Sequence, residues 1–226
     1  MQVHVLQLGP IGTNCYAVHE AGATACFVVD PGAEHERVLE LLDDEGLVAE
    51  AILVTHFHYD HIGGVAGLAA ATGAPVWMHA EEAYGLETPE VLNDQWPGGR
   101  HDVAAWPVEH RLRGGERITV ANVALDVLLV PGHSPHHVAF IAPGEVDDDG
   151  AVDPAAEMPP LAFSGDVLFQ GSVGRTDLPG ADQPTLVRSL QLMARKLDPT
   201  TLVLSGHGPV TTMAAELATN PFLRGI

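Results

Sequence analysis

The seven residues Thr55-His56-Phe57-His58-Tyr59-Asp60-His61 constrain the fold of this chain more than any other stretch. They place four metal-ligating side chains within six positions, directly after an apolar run at 51–55. No regular element presents all four together. A strand sets His56, His58 and Asp60 on one face and His61 on the other, whereas a helix pairs His56 with Asp60 and His58 with His61. A loop at a strand end can divide them, sending His56 and His58 to one ion and Asp60 and His61 to a neighbouring one, with Gly63-Gly64 supplying backbone freedom for the turn. Neutral imidazoles beside carboxylates are the donor set of zinc, iron or manganese.

Two ions need more ligands than one loop holds, and three other strand ends offer them. His133 follows an apolar run at 127–130 in Pro131-Gly132-His133-Ser134-Pro135. Asp166 follows 161–163 in Ser164-Gly165-Asp166, and His207 follows 201–204 in Ser205-Gly206-His207-Gly208-Pro209. Each reads as an apolar strand, a glycine, then a ligand. Catalytic residues concentrate on loops held by the ends of rigid strands, so four such ends in one chain point to a shared site.

Composition narrows the function classes. The chain has 10 Lys+Arg against 30 Asp+Glu, a formal charge of −20, and its only lysine is Lys196. Nucleic-acid binding is excluded, because phosphate backbones are gripped by clustered cations. Two cysteines, Cys15 and Cys26, do not make a secreted disulfide framework. The N-terminus lacks the basic start and apolar core of a signal peptide, and no stretch approaches the ~18 apolar residues of a membrane span. The expectation is a soluble cytoplasmic protein with no membrane partner.

Alternation marks strands over 3–8, 14–19 and 25–30, a β-meander opening, followed by a helix carrying Val38, Leu41 and Leu42 and ended by Gly46. A strand at 51–55, a helix-compatible stretch at 64–71 and a strand at 75–78 come next. Residues 81–115, poorly periodic and carrying Trp96-Pro97-Gly98-Gly99, read as helical turns and loops. Strands return at 117–120, 124–130, 137–142, 161–163 and 201–204, with helices at 183–197 and 213–218. Between 144 and 160 the acids Glu145, Asp147, Asp148, Asp149, Asp153 and Glu157 read as a solvated loop, because their spacing does not match an EF-hand. With no linker and no internal repeat, the chain reads as one catalytic domain over 1–226, a mixed α/β fold of layered sheets and helices.

The pattern His56-x-His58-x-Asp60-His61, then His133, Asp166 and His207, resembles the metallo-β-lactamase superfamily, and within it the small glyoxalase II-like (hydroxyacylglutathione hydrolase-like) proteins. Thr13-Asn14-Cys15-Tyr16, Val29-Asp30-Pro31-Gly32, Gly165-Asp166-Val167-Leu168-Phe169, Gly174-Arg175-Thr176-Asp177 and Asn220-Pro221-Phe222-Leu223 agree with it. The resemblance implies an αββα four-layer sandwich, two mixed sheets flanked by helices. It implies two divalent metal ions, zinc first, with iron or manganese as alternatives. His56, His58 and His133 would hold one, Asp60, His61 and His207 the other, and Asp166 would bridge them, which makes Asp60 and Asp166 the catalytic carboxylates. Asp30 matches a carboxylate that orients ligands, although it also reads as a turn residue before Pro31-Gly32. His137 matches a further histidine near the site, whereas His136 stands where such relatives often have glycine.

The implied reaction is hydrolysis of a small-molecule thioester, a hydroxyacyl conjugate of glutathione or a related thiol, by a metal-bound hydroxide. Paired ions lower the pKa of water from ~15.7 towards ~7. A thiol of pKa about 8.5 leaves as thiolate without a strong general acid. Tyr59 reads as a wall of the substrate pocket. Arg175 lies where the family places a basic residue near the thiol, with an ion pair to Asp177 as the other reading. Long glyoxalase II relatives add a C-terminal helical region for glutathione, for which a chain ending at Ile226 leaves little room. The rival is a mononuclear-iron persulfide dioxygenase, which Gly174-Arg175-Thr176-Asp177 also resembles, with iron on His56, His133 and Asp166. A non-catalytic metal-storing protein is a third class. Oligomeric state is not written in the sequence.

Overall fold

The protein is described from a computed structural model that covers residues 1–93, 102–144 and 158–225. The Trp96-Pro97-Gly98-Gly99 stretch and the six acids between 145 and 157 lie outside the described residues. The chain divides into two compact units, Met1–Arg113 with Thr119–Val123, and Gly114–Ile118 with Ala124–Ile226.

The first unit runs β1 (Gln2–Leu8), β2 (Thr13–His19), β3 (Ala25–Val29), α1 (His35–Asp44), β4 (Val48–Leu53), α2 (Tyr59–Ile62), α3 (Val65–Thr72), β5 (Val76–His79), α4 (Tyr84–Glu87), α5 (Glu90–Asn93) and β6 (His110–Leu112). Its sheet keeps sequence order, β1-β2-β3-β4-β5-β6. Short turns join β1, β2 and β3 antiparallel, and from β3 onward the intervening helices return the chain to run parallel. In β4, Ala51, Ile52 and Leu53 are all buried, the continuous apolar run expected of a strand covered on both faces. α1 turns Val38 and Leu42 into the same core as Val28, Ile52, Leu68 and Met78. The reading of 81–115 as turns and loops holds for α4 and α5 but misses β6. Three residues, with His110 and Arg111 exposed, are too few to carry a period.

The second unit runs β7 (Arg117–Val120), β8 (Val123–Leu129), β9 (Val138–Ala142), β10 (Leu161–Gly165), β11 (Leu168–Phe169), β12 (Ser172–Val173), α6 (Gln183–Lys196), β13 (Leu202–Ser205), β14 (Thr211–Thr212) and α7 (Met213–Thr219). The sheet order is β14-β13-β10-β9-β8-β7, with β11 and β12 pairing as a separate hairpin. β9 is antiparallel to β8 and β10, and β10 is parallel to β13. α6 starts where Asp182 accepts a hydrogen bond from the Thr185 N–H, with a proline in its first turn, and it buries Leu186, Leu190 and Met193. Arg195 and Lys196 complement its C-terminal dipole.

Strand polarity places the ligands. In the first sheet β3 and β4 end at the same edge, where β2 begins, so Asp30, the 55–61 loop and Thr13 share that edge. In the second, β8, β10 and β13 end at the edge where β9 begins, which gathers His133, Asp166, His207 and His137. Both cysteines are free and buried. Burial, then the negative charge of Asp30, pushes the Cys15 thiol far up, and burial followed by Glu50 raises Cys26 to about 12, so neither is a nucleophile. No helix among the described residues is long and apolar enough to cross a membrane.

Candidate metal centre

In the first unit, His58 leads from an extended backbone into the single turn of α2, so Asp60 and His61 are helical while His56 and His58 precede the helix. His56, His58 and His61 are buried. Asp30 organises two of them. Its backbone is left-handed, φ 49°, and it sits beside Thr55 because β3 and β4 are neighbours. Asp30 Oδ1 accepts the Thr55 N–H at 2.8 Å, while Oδ2 accepts the Thr55 hydroxyl at 2.7 Å and His61 Nδ1 at 2.9 Å.

These partners fix where the outer protons lie. A carboxylate only accepts, so His61 carries a proton on Nδ1, and its Nε2 lies 3.3 Å from Asp60 Oδ2. Thr55 spends its own hydrogen on Asp30, so its oxygen, 3.0 Å from His56 Nδ1, accepts the proton of that ring. His56 Nε2 therefore carries a lone pair, 2.9 Å from His58 Nδ1. Thr13 donates to Asp60 Oδ2 at 3.0 Å. Tyr59 and Asp60 line a cavity of about 380 Å³ with Ile11, Glu34 and Val103.

The second unit repeats the logic. His133 Nδ1 lies 2.9 Å from the Arg175 carbonyl, which can only accept, so that nitrogen carries a proton, and Nε2 lies 3.5 Å from Asp166 Oδ2. His207 Nε2 lies 3.5 Å from the same oxygen. His137 is fully buried, and its Nε2 accepts the Asp166 N–H at 3.1 Å, so it holds the Asp166 backbone. The Arg175 side chain donates to both oxygens of Asp177 at 2.6 and 2.7 Å, with both groups exposed. That hydrogen bonding holds the Asp177 carboxyl down at about 2 and raises the guanidinium. Arg175 thus makes the ion pair that was the other reading of its side chain, and meets a candidate ligand through its carbonyl.

All seven expected ligands are candidate metal-holding groups. The donor set fits a borderline divalent ion: the outer nitrogens of His56, His61 and His133 are held by oxygen, as metal-bound imidazoles require, and the inner nitrogens are turned towards other donors.

Four supports escape a reading of the sequence. Thr55 links Asp30 to His56. Glu82, fully buried, accepts the N–H of Phe57, between two ligands, at 2.9 Å. Glu216, also buried, accepts from the Gly171 N–H, the Thr211 hydroxyl and the Asn220 amide, tying α7 to the β11–β12 hairpin, whose Phe169 ring meets His207 edge-on at 6.0 Å. Gly174 packs so tightly that a Cβ would overlap the Asp166 carbonyl oxygen. Gly63 and Gly64 are small for the same kind of reason. Their backbones are ordinary, φ −60° and −96°, but a Cβ on either would strike the carbonyls of Gly32 or Pro31.

Comparison with known proteins agrees with this architecture. Residues 8–147 match the Metallo-beta-lactamase superfamily. A probable metallo-hydrolase, YqgX of Bacillus subtilis, is 36% identical over 97% of this chain and 96% of its own. The hydroxyacylglutathione hydrolase GloC of Haemophilus influenzae is 30% identical over 99% and 98%. Among solved structures, the B3 metallo-β-lactamase BLEG-1 superposes with a TM-score of 0.86 at 36% identity, covering 99% of this chain and all of that one. TTHA1623, solved in a di-iron-bound form, gives 0.78 at 41% identity, with 98% and 100% covered. With an α/β fold of two mixed sheets and helices, and ligand candidates at the strand ends, this chain belongs to the metallo-β-lactamase superfamily of metal-dependent hydrolases.

Proposed function

We propose that the protein hydrolyses a small-molecule thioester, a hydroxyacyl conjugate of glutathione or a related low-molecular-weight thiol. The two ligand sets would share a pair of divalent ions: one on His56, His58 and His133, the other on Asp60, His61 and His207, with Asp166 common to both. The observation that carries this reading is the outer oxygen partner that orients each of His56, His61 and His133, with Nε2 of each ring turned towards another candidate ligand. When bound, such ions supply an acidified water and an electrophile for the carbonyl oxygen.

The chain's own residues do the rest. Asp30 holds His61 directly and His56 through Thr55, while Thr13 fixes Asp60. Tyr59 and Ile11 wall the cavity beside Asp60, where an acyl group would lie. Among candidate ligands and their supports there is no dedicated proton donor for a leaving group, which suits a thiolate, whose acid has a pKa of about 8.5. The 30% identity to GloC supports the thioester class, and the di-iron form of TTHA1623 keeps iron beside zinc as the metal.

The test assays purified, metal-quantified protein with lactoylglutathione, and follows O₂ with a glutathione persulfide. Hydrolysis without O₂ uptake, with two ions per chain, is the expected result. O₂ consumption with a single iron would instead make the protein a persulfide dioxygenase. Full hydrolytic activity after Asp60→Ala combined with His207→Ala would overturn the two-ion proposal.

A further inference from the structure

Two histidines face each other at the opposite edge of the first sheet, where β1 begins and β2 ends. Gln2 pairs with His19 and His4 with Ala17, so His4 and His19 are diagonal neighbours on one face of the ladder. Their rings are nearly parallel, 16° apart with centroids at 5.3 Å, and their Nε2 atoms are 3.2 Å apart.

The outer nitrogens determine what the inner ones offer. His19 Nδ1 lies 3.0 Å from the Glu20 carbonyl and 3.1 Å from that of Ala23. Carbonyls only accept, so neutral His19 carries its proton there and turns a lone pair on Nε2 towards His4. His4 Nδ1 faces the Glu45 carboxylate at 3.8 Å. His19 is buried, while the His4 and Glu45 side chains are 22% and 47% exposed, which leaves an approach from their side.

We propose that His4 and His19 form a peripheral site for a borderline divalent transition-metal ion, copper, nickel or zinc, held by the two Nε2 atoms and completed by water. Two nitrogens ~2.0–2.1 Å from a tetrahedral ion lie about 3.3 Å apart. The observed 3.2 Å accommodates such an ion with almost no backbone movement. The outer partners, two carbonyls on one ring and a carboxylate facing the other, are those that orient metal-bound imidazoles. Without an ion, His4 Nε2–H donates to His19 Nε2. On binding, the His4 proton moves from Nε2 to Nδ1, on the side that faces the Glu45 carboxylate at 3.8 Å, and both Nε2 atoms ligate. None of these residues belongs to the ligand sets described above, so the inference is independent of the proposed reaction.

The experiment titrates Ni²⁺ into holoprotein of known metal content by calorimetry. One further equivalent per chain should bind to the wild type. His4→Gln and His19→Gln should each weaken it at least ~10-fold, and Glu45→Gln by less, with resident metal and activity unchanged. If His19→Gln fails to fold, His4→Gln, on the exposed side, decides the matter. Absence of a further equivalent at millimolar Ni²⁺, or His4→Gln binding it as tightly as the wild type, overturns the proposal.

Discussion

Asp30 and Thr55 work as one device. A single carboxylate accepts from a backbone N–H, a hydroxyl and an imidazole, and the hydroxyl passes the orientation on to a second imidazole. Thr55→Val keeps the shape but removes the link. His56 Nδ1 then loses its acceptor, and the ring is free to turn its proton towards the ion. Chelator competition should show metal affinity falling by ~10–100-fold, the usual cost of losing an outer partner. Thr55→Ser, which keeps the hydroxyl, should retain most of it. An unchanged affinity in Thr55→Val would mean that the ring is fixed by packing alone.

At the scale of elements, two of the ligand turns are braced from segments distant in sequence. Phe57 is tied to Glu82 beyond β5, and the β11–β12 hairpin beside His207 is tied to Glu216 on α7. Glu82→Ala should leave the Phe57 N–H unsatisfied in the core and cost about 1–3 kcal/mol, read as a lower urea midpoint. The candidate ligands were legible because ligand-type residues follow apolar runs at four strand ends, at three of them across a glycine, and a strand end shows in local sequence. The braces were not. What makes Thr55 or Glu82 matter is a partner 25 residues away, and that of Glu216 is 45 away. The same limit applies to Arg175, whose type suggested its side chain, whereas its carbonyl meets His133. It applies also to β11, β12 and β14, each of two residues, too short for any period.

For the whole molecule, acid is the informative stress. Hydrogen bonds from Arg117, Arg175 and Thr185 lower the carboxyls of Asp126, Asp177 and Asp182 respectively, Asp177 to about 2. A carboxylate whose folded pKa is depressed stabilises the protein above its unfolded value, and that contribution is lost as pH falls through the folded one. Thermal melts should therefore weaken between about pH 5 and pH 2. Asp182→Ala should melt below the wild type at the upper end of that range and converge with it at the lower end. Parallel curves would show that the cap on α6 acts without its charge.

The order in which the chain is made gives the first sheet a further meaning. Its last strand ends at Leu112, and His56, His58, Asp60 and His61, with Thr13, Asp30, Thr55 and Glu82 holding them, all precede His133. Domains synthesised from the N-terminus fold as they emerge. On that order the first four candidate ligands would be arranged while Asp166 and His207 are still untranslated, in time to meet an ion on the nascent chain. An ion taken up at that stage would be chosen by what is abundant beside the ribosome as much as by the preference of the finished site.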